Sequence, residues 1–427
     1  MTNAPNSFAG LARTARSAGQ IIVQPRAGVA DLEGMRALLR GFRDEAAAAF
    51  VAGTITIDAK TRQGLIEDAT EALKRGDALN GFPLLSHPLV DVRSLAEEQA
   101  DRFFIQIRHG TPDPRHLYER LIEGGFSATE GGPVSYTLPY SCLPLRDTLR
   151  YWREALQCLV KSADRRGIEV HHETFGGCMM GQACPPELLI AISVLECQHF
   201  YELGIPSVSA SLALGTCDEQ DEGALLALND ICADRFAGRD WHIVAYHFMG
   251  QFPQTEAGSY ALIENGSRIA ARGGAHRLIV KTKAEAHGIP TLEQNLAALD
   301  RSATAAAAAA AEDRQRPPAV EAWRSKIRTN AERLIAATLS LDLDAGRALG
   351  LAFEQGQLDV PFCTHQDNRN QSLSVLDESN GAILWASTGA MPIEADAPAS
   401  LGRLTAERFH NMLGFNRRRF DSAEEEY

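Results

Sequence analysis

From Ile21 to Thr282 one unit recurs along the chain. A short β-branched or apolar run leads to a polar or glycine-rich tip, and a stretch with apolar residues at helical spacing follows. The runs end at Gln24-Pro25-Arg26, Thr56-Ile57-Asp58, Leu79-Asn80-Gly81, Ile107-Arg108, Thr129-Glu130, Val170-His171-His172, Ser209-Ala210-Ser211, Ala245-Tyr246-His247 and Val280-Lys281-Thr282. Amphipathic stretches such as Leu32–Glu45, Leu65–Arg75 and Leu145–Arg166 lie between them. Strand alternating with helix predicts a parallel sheet with crossover helices, and eight such units close a (β/α)8 TIM barrel. Nine runs compete for those eight places, and the pattern does not say which is the extra one.

After Pro290 the pattern changes. Leu292–Leu299 predicts a helix, Ala305–Ala311 is an unbroken alanine run, and Pro317-Pro318 interrupts it. Alanine favours helix but buries little, so 301–319 is expected to be an exposed helix or linker. Ile327, Leu334, Ile335 and Leu339 mark one face of a further helix from Val320 to Leu341. Glycine-rich turns and short strands such as Ala382–Trp385 follow. The expected organisation is α/β. An N-terminal segment (1–19) precedes the barrel (20–300), then come the alanine-rich piece (301–319) and a smaller C-terminal α+β appendage (320–427).

Composition narrows the function classes. The net charge of −13 argues against a broad nucleic-acid surface, though not against a locally positive pocket. No apolar run approaches the ~18 residues of a membrane span, and Met1–Gly19 lacks the apolar centre of a signal peptide. The eight cysteines form no CxxC pair and the histidines no HxxxH pair. The expectation is a cytoplasmic protein with reduced thiols and no metal site.

Candidate chemistry is densest between Phe103 and Tyr140. Arg108, and likewise Arg26 and Arg62, stands at or just beyond a strand tip near glycine or proline. A guanidinium grips a carboxylate through two parallel hydrogen bonds, so three at one barrel mouth would suit a small dicarboxylate. Separate surface salt bridges are the plainer reading. Glu130, in Thr-Glu-Gly-Gly, suits a base or an acceptor for a substrate ammonium, with the glycines allowing close approach of a ligand. The alternative is a turn cap. Tyr136 and Tyr140 offer hydroxyls to a ligand or rings to the core. Lys281 and Glu285, four apart after a buried-looking run, would share one helical face as a site or a surface pair.

Taken in order, Gln24–Val29, Thr56–Gln63, Leu79–Pro83, Arg108–Asp113, Glu130-Gly-Gly, Ser135-Tyr136 and Pro139-Tyr140 carry a resemblance. It continues through Phe252–Gln254, Val280–Thr282, Glu285-Ala286, Gly288–Pro290 and Asp359–Phe362. The set resembles the large catalytic epsilon subunit family of glutamate mutase (methylaspartate mutase). The resemblance implies a TIM barrel that rearranges L-glutamate to threo-3-methylaspartate with adenosylcobalamin, by a radical started at the cofactor's cobalt–carbon bond. It also implies a separate small cobalamin-binding subunit carrying an Asp-x-His-x-x-Gly loop, and a homodimer of this chain within a heterotetramer. By matching position, Arg26, Arg62 and Arg108 with His109 look like the family's carboxylate claw. Glu130, the catalytic candidate, matches the residue at the substrate amino group, and Tyr136 and Tyr140 match substrate contacts. Gly28, Asn80, Pro139, Phe252, Lys281, Glu285 and Ile289 match coenzyme-contacting positions.

This chain has no such loop. Asp240-Trp241-His242 resembles its start, but Ala245 stands at the glycine position and the segment reads as strand. Pro133 replaces a third glycine of the family pattern, and Thr174–Pro185 and Leu214–Glu222 diverge from it. Two further readings stay open: a related amino dicarboxylate as substrate, and a barrel that only binds an amino acid.

Overall fold

A computed structural model describes residues 6–176, 183–286, 288–398 and 404–422. Its centre is a ring of parallel strands. These are β1 (Ile22–Pro25), β2 (Gly53–Thr56), β3 (Ile105–Arg108), β4 (Ala128–Glu130), β5 (His171–Glu173), β6 (Ser207–Ala213), β7 (Asp240–Tyr246) and β8 (Arg277–Val280). From β2 to β8 each pairs with its neighbour in sequence, and β8 pairs in turn with β1. Between β1 and β2 the ring closes through the bridge Val23 to Val51, where Ala52 N–H donates to the Val23 carbonyl at 3.1 Å, and through Thr56 N–H, which donates to the Ala27 carbonyl at 2.7 Å. This is the eight-stranded barrel that the alternating pattern predicts. The surplus run is Leu79–Gly81. It forms no strand, and only Phe82 bridges to Ile57. Gly81 lies so close to the preceding tip that a Cβ there would meet the Asp58 nitrogen at 2.7 Å.

Local chemistry sets several helix ends. Asp31 caps Leu32–Glu45 by accepting from Gly34 N–H at 2.6 Å, and Gly167, at φ +65°, ends Leu145–Arg166. Asp240-Trp241-His242 opens β7, and His242 is buried with its ring stacked 4.7 Å from His171.

Barrel interiors are usually filled by branched aliphatic side chains, but this one is largely polar. Gln24, Gln106, Glu173, Ser209 and Arg277, from five strands, bond to one another across the ring. The N-terminal segment seals the end opposite the strand tips. Its helix Phe8–Ser17 lays Phe8 against His171 (5.3 Å between centroids) and under the Arg277 guanidinium (5.0 Å). Arg13 ties it to Glu169 and Asp240.

Of the two expectations for the alanine run, helix holds and linker does not, and the run is exposed on one side only. It completes one helix, Leu292–Ala310, with Ala305, Ala306 and Ala309 buried, because a small side chain lets a neighbouring helix approach closely. The break falls at Pro317-Pro318, where Pro318 opens the helix Pro318–Leu339. The C-terminal part adds the helix Ala345–Gln355 and an antiparallel hairpin, β9 (Ser372–Leu376) with β10 (Ile383–Thr388). Trp385 of that hairpin is buried and donates to Glu187 on the helix Pro186–Glu202 at 2.9 Å. Among the described residues no helix is long and apolar enough to cross a membrane.

Candidate active site

β3 ends in Arg108 and β4 in Glu130. Parallel register sets Glu130 beside Glu173 of β5. All three side chains are buried. Arg108 Nη2 donates to Glu130 Oε2 at 2.9 Å and to the Tyr246 hydroxyl at 2.7 Å. Its Nη1 donates to Gln106 at 3.2 Å and to Glu173 at 3.4 Å. The four Nη hydrogens are thus directed at protein acceptors, and a carboxylate ligand would have to exchange with one of them. Burial pushes the Glu130 carboxyl up to about 7, Arg108 opposes that, and the nearby Glu173 charge adds to it. Burial also works against a charged Glu173, but Arg277 and Arg108 beside it hold it below its ordinary range. Two neighbouring carboxylates therefore differ: one stays ionised and the other sits near the point of proton exchange.

Glu130 Oε1 accepts from His109 N–H at 3.2 Å and from the Tyr136 hydroxyl. The glycines after Glu130 do not open room for a ligand, as the sequence suggested. A Cβ on Gly131 (φ +112°) would land in the Tyr136 ring, and one on Gly132 in the Glu196 carboxylate. The His109 ring is packed between Trp152 and Tyr136, and its Nδ1 accepts from Thr111 N–H at 3.1 Å. Burial holds it neutral. Tyr140 is half-exposed, edge-on to Tyr136 at 5.8 Å, with the Arg62 guanidinium 5.6 Å above its ring. Arg62 lies on the short helix Ala59–Arg62, capped by Asp58, and its charge reaches His109. Arg26, just past β1, places its charge where it acts on Glu130. A cleft of about 770 Å³, lined by Arg62, His109, Thr111, Tyr140 and Leu143 among others, opens beside this group.

The positions matched to coenzyme contacts lie at or beyond the tips on this same face. Asn80, Pro139 and Ile289 are exposed, and Gly28 packs so closely that a Cβ would meet the Thr56 carbonyl oxygen at 2.5 Å. Lys281 and Glu285 do not share an α-helical face, because only Lys283–Ala286 is helical and it is a 3-10 turn. Lys281 instead sets its amine 5.8 Å over the Phe252 ring. The Glu285 side chain lies outside the described residues.

Two features fall away from the mouth. A cleft of similar size, about 800 Å³, lies between Leu145–Arg166 and Ala345–Gln355, but its Arg153, Arg347 and Arg369 are held by Asp344, Asp342 and the Glu354 carbonyl. Beside it, His199, Glu202 and Asp344 bring ligand-type atoms within 4.8 Å of one another. Asp344 is already gripped by Arg153 and Glu202 by Ala345 N–H, so the trio is a helix junction.

Glu173, Tyr246, Gln106 and Glu196 were not singled out from the sequence. Glu173 follows His171-His172 directly, and period-two alternation puts it on the inner face with His171. Glu196 carries little signal of its own, since the largely apolar, buried helix Pro186–Glu202 holds Glu187 as a second buried carboxylate.

Comparison with known proteins bears on this mouth. The model of the methylaspartate mutase E chain matches residues 4–410. The chain belongs to that family. The glutamate mutase epsilon subunit of Desulfitobacterium hafniense is 33% identical over 397 residues, covering 89% of this chain and 80% of its own. That of Escherichia coli O157:H7 is 32% identical over 390 residues, covering 88% and 79%. That of Treponema denticola is 32% identical over 398 residues, with the same coverage. As a member of the methylaspartate mutase E chain family this chain is a mutase subunit, an intramolecular transferase, and its barrel mouth is where such chemistry is expected.

Proposed function

We propose that this chain catalyses the rearrangement of L-glutamate to threo-3-methylaspartate, with adenosylcobalamin delivered by a separate small cobalamin-binding subunit. The observation that carries the reading is the bonded cluster Arg108–Glu130–Tyr136 at the tips of β3 and β4, within the electrostatic reach of Arg26. Family membership selects the reaction among those such a cluster could serve. Two copies of each subunit would form the complete enzyme, in the cytoplasm.

The rim fits a broad group laid across the mouth. Gly28 lets the β1 and β2 tips pack closely beneath it, Pro139 and Ile289 offer apolar surface, and Asn80, Lys281 and Phe252 ring the opening. When bound, adenosylcobalamin supplies the carbon-centred radical. This chain's residues do the holding. Arg26, Arg62 and Arg108 grip the two carboxylates, so that fragments without a covalent link stay in register. Glu130, near its point of proton exchange, accepts from the substrate ammonium, and Tyr136 orients it. Tyr140 and Arg62 close the side facing solvent.

The test is to mix this chain with the small subunit of an active relative, adenosylcobalamin and L-glutamate, and to follow 3-methylaspartate. Product that depends on all three additions supports the reading. No product, with a partner proven active on its own large subunit, ends it.

A further inference from the structure

Glu196 is a buried carboxylate with no cation paired to it among the described residues. It lies on Pro186–Glu202, yet every hydrogen bond it accepts comes from the turn after β4. Its Oε1 accepts from Val134 N–H at 2.9 Å and Ser135 N–H at 3.0 Å, and its Oε2 from the Ser135 hydroxyl at 3.0 Å. That turn begins as a helix does: Tyr136 N–H donates to the Gly132 carbonyl at 3.0 Å, and Pro133 takes the first helical position. Proline suits that place because its missing N–H would have had no acceptor and its φ is already helical. The next two N–H groups are those that a helix start leaves unsatisfied. Glu196 supplies their acceptor from another helix. The glycines fit the same purpose, since a side chain at 132 would occupy the carboxylate's place and one at 131 would occupy the Tyr136 ring's. Pro133, the departure from the family's third glycine, thus belongs to the cap.

We propose that Glu196 is a positioning residue: by capping the turn at Val134 and Ser135 it sets the Tyr136 hydroxyl on Glu130 and fixes how Glu130 meets an amino dicarboxylate. This rests on the substrate-facing roles given above to Glu130 and Tyr136. The carboxylate touches neither the mouth nor the rim. Its influence runs through one rigid turn, with Gly132–Val134–Ser135 at one end and Tyr136 at the other.

The enzyme assembled with its small partner and adenosylcobalamin is compared as wild type, Glu196→Gln, Glu196→Ala, Tyr136→Phe and Glu196→Ala/Tyr136→Phe. Glu196→Ala is expected to lower kcat/KM for glutamate on the order of 10- to 100-fold, as a displaced orienting group does. Glu196→Gln keeps an oxygen for both N–H groups and should recover most of that loss. The double variant should be no worse than Tyr136→Phe alone, because the cap acts through that tyrosine. In parallel, 3-fluorotyrosine is placed at position 136 of the full chain. Its fluorine resonance should move in Glu196→Ala and return in Glu196→Gln. Where Glu196→Ala does not fold, Ser135→Ala takes its place, with a smaller shift in the same direction. Additive losses, equal effects of the alanine and glutamine variants, or an unmoved resonance would overturn the proposal. If the wild type makes no 3-methylaspartate, the functional reading falls while the fluorine resonance still decides whether Glu196 places Tyr136.

Discussion

Arg108 and Arg277 are both buried inside the barrel and both contact Glu173, yet they live in different chemistry. Arg277 has five N–H donors and five acceptors: His242 for Nε, Gln24 and Gln106 for Nη1, Ser209 and Glu173 for Nη2. Phe8 and the N-terminal helix close the floor beneath it. Burial lowers its affinity for its proton. Arg108, by contrast, is held more firmly charged despite its burial, because Glu130, Tyr246 and Glu173 surround it. One of those partners, Glu130, exchanges its proton near neutral pH. The difference is slack. Arg277, the scaffold charge, is satisfied completely and sealed, whereas Arg108, the charge proposed to meet a ligand, has a partner that can let go.

The sharpest way to break this comparison is Arg277→Met. It strands Glu173 without its nearest cation, and losing one member of a buried pair costs about 3–5 kcal/mol, read as a lower urea midpoint. A loss under about 1 kcal/mol would show that Arg277 is no scaffold charge. Arg108→Lys should invert the pattern. It keeps the charge but not the fork, so turnover in the assembled enzyme should fall about 100-fold while the midpoint moves by only ~1 kcal/mol.

Glu130→Gln sharpens it further, with turnover down about 100-fold or more from loss of the proton-accepting group. The same variant reports on pH. A carboxyl raised from its ordinary 4.5 to about 7 binds more protons in the folded state than in the unfolded one across that window. Stability therefore falls as pH rises from 4.5 to 7, and Glu196, also raised to about 7 by burial, adds to the slope. Urea titrations from pH 4.5 to 8 should show a shallower decline in Glu130→Gln, by on the order of 3 kcal/mol across the window. An unchanged slope would mean Glu130 is ionised throughout.

The smallest effect belongs far from the mouth. Both ring nitrogens of buried His199 lack a partner, and burial lowers its pKa to about 4. The folded state then binds fewer protons than the unfolded one between 4 and 6.5, so stability is lost as pH falls through that window. His199→Met should raise stability at pH 5 by about 1 kcal/mol and leave turnover alone.

The sequence made the scaffold readable where a pattern persisted over several turns. Leu32–Glu45 and Leu145–Arg166 are helices with the bounds the apolar spacing predicts. It misled where a short run had two meanings. Leu79–Gly81 looks like a strand end until Gly81 is seen lying on the Ile57–Asp58 backbone, and the alanine run looks exposed until small size is read as a licence to pack. Arg108, Glu130 and Tyr136 were legible because polar residues interrupt apolar runs at the tips, and the structure brings these three together. Glu173 and Glu196 were not, because their partners, Arg277 and Ser135, are far away in sequence. Spacing four apart at Lys281 and Glu285 carried no geometry once the segment proved to be 3-10.

The sparse seam between β1 and β2, the Val23–Val51 bridge and the Thr56–Ala27 bond, gives the barrel a lip on either side. Arg26 follows one lip, and Arg62 and Arg108 belong to the other, so the carboxylate grip proposed above would straddle this seam. Amide protons there, such as that of Ala52, are expected to exchange by local opening without opening of the whole barrel. On the proposed function, a dicarboxylate spanning both lips would act as a stitch across that seam. The rate at which those few amides take up deuterium is then a gauge of how tightly the stitch is drawn.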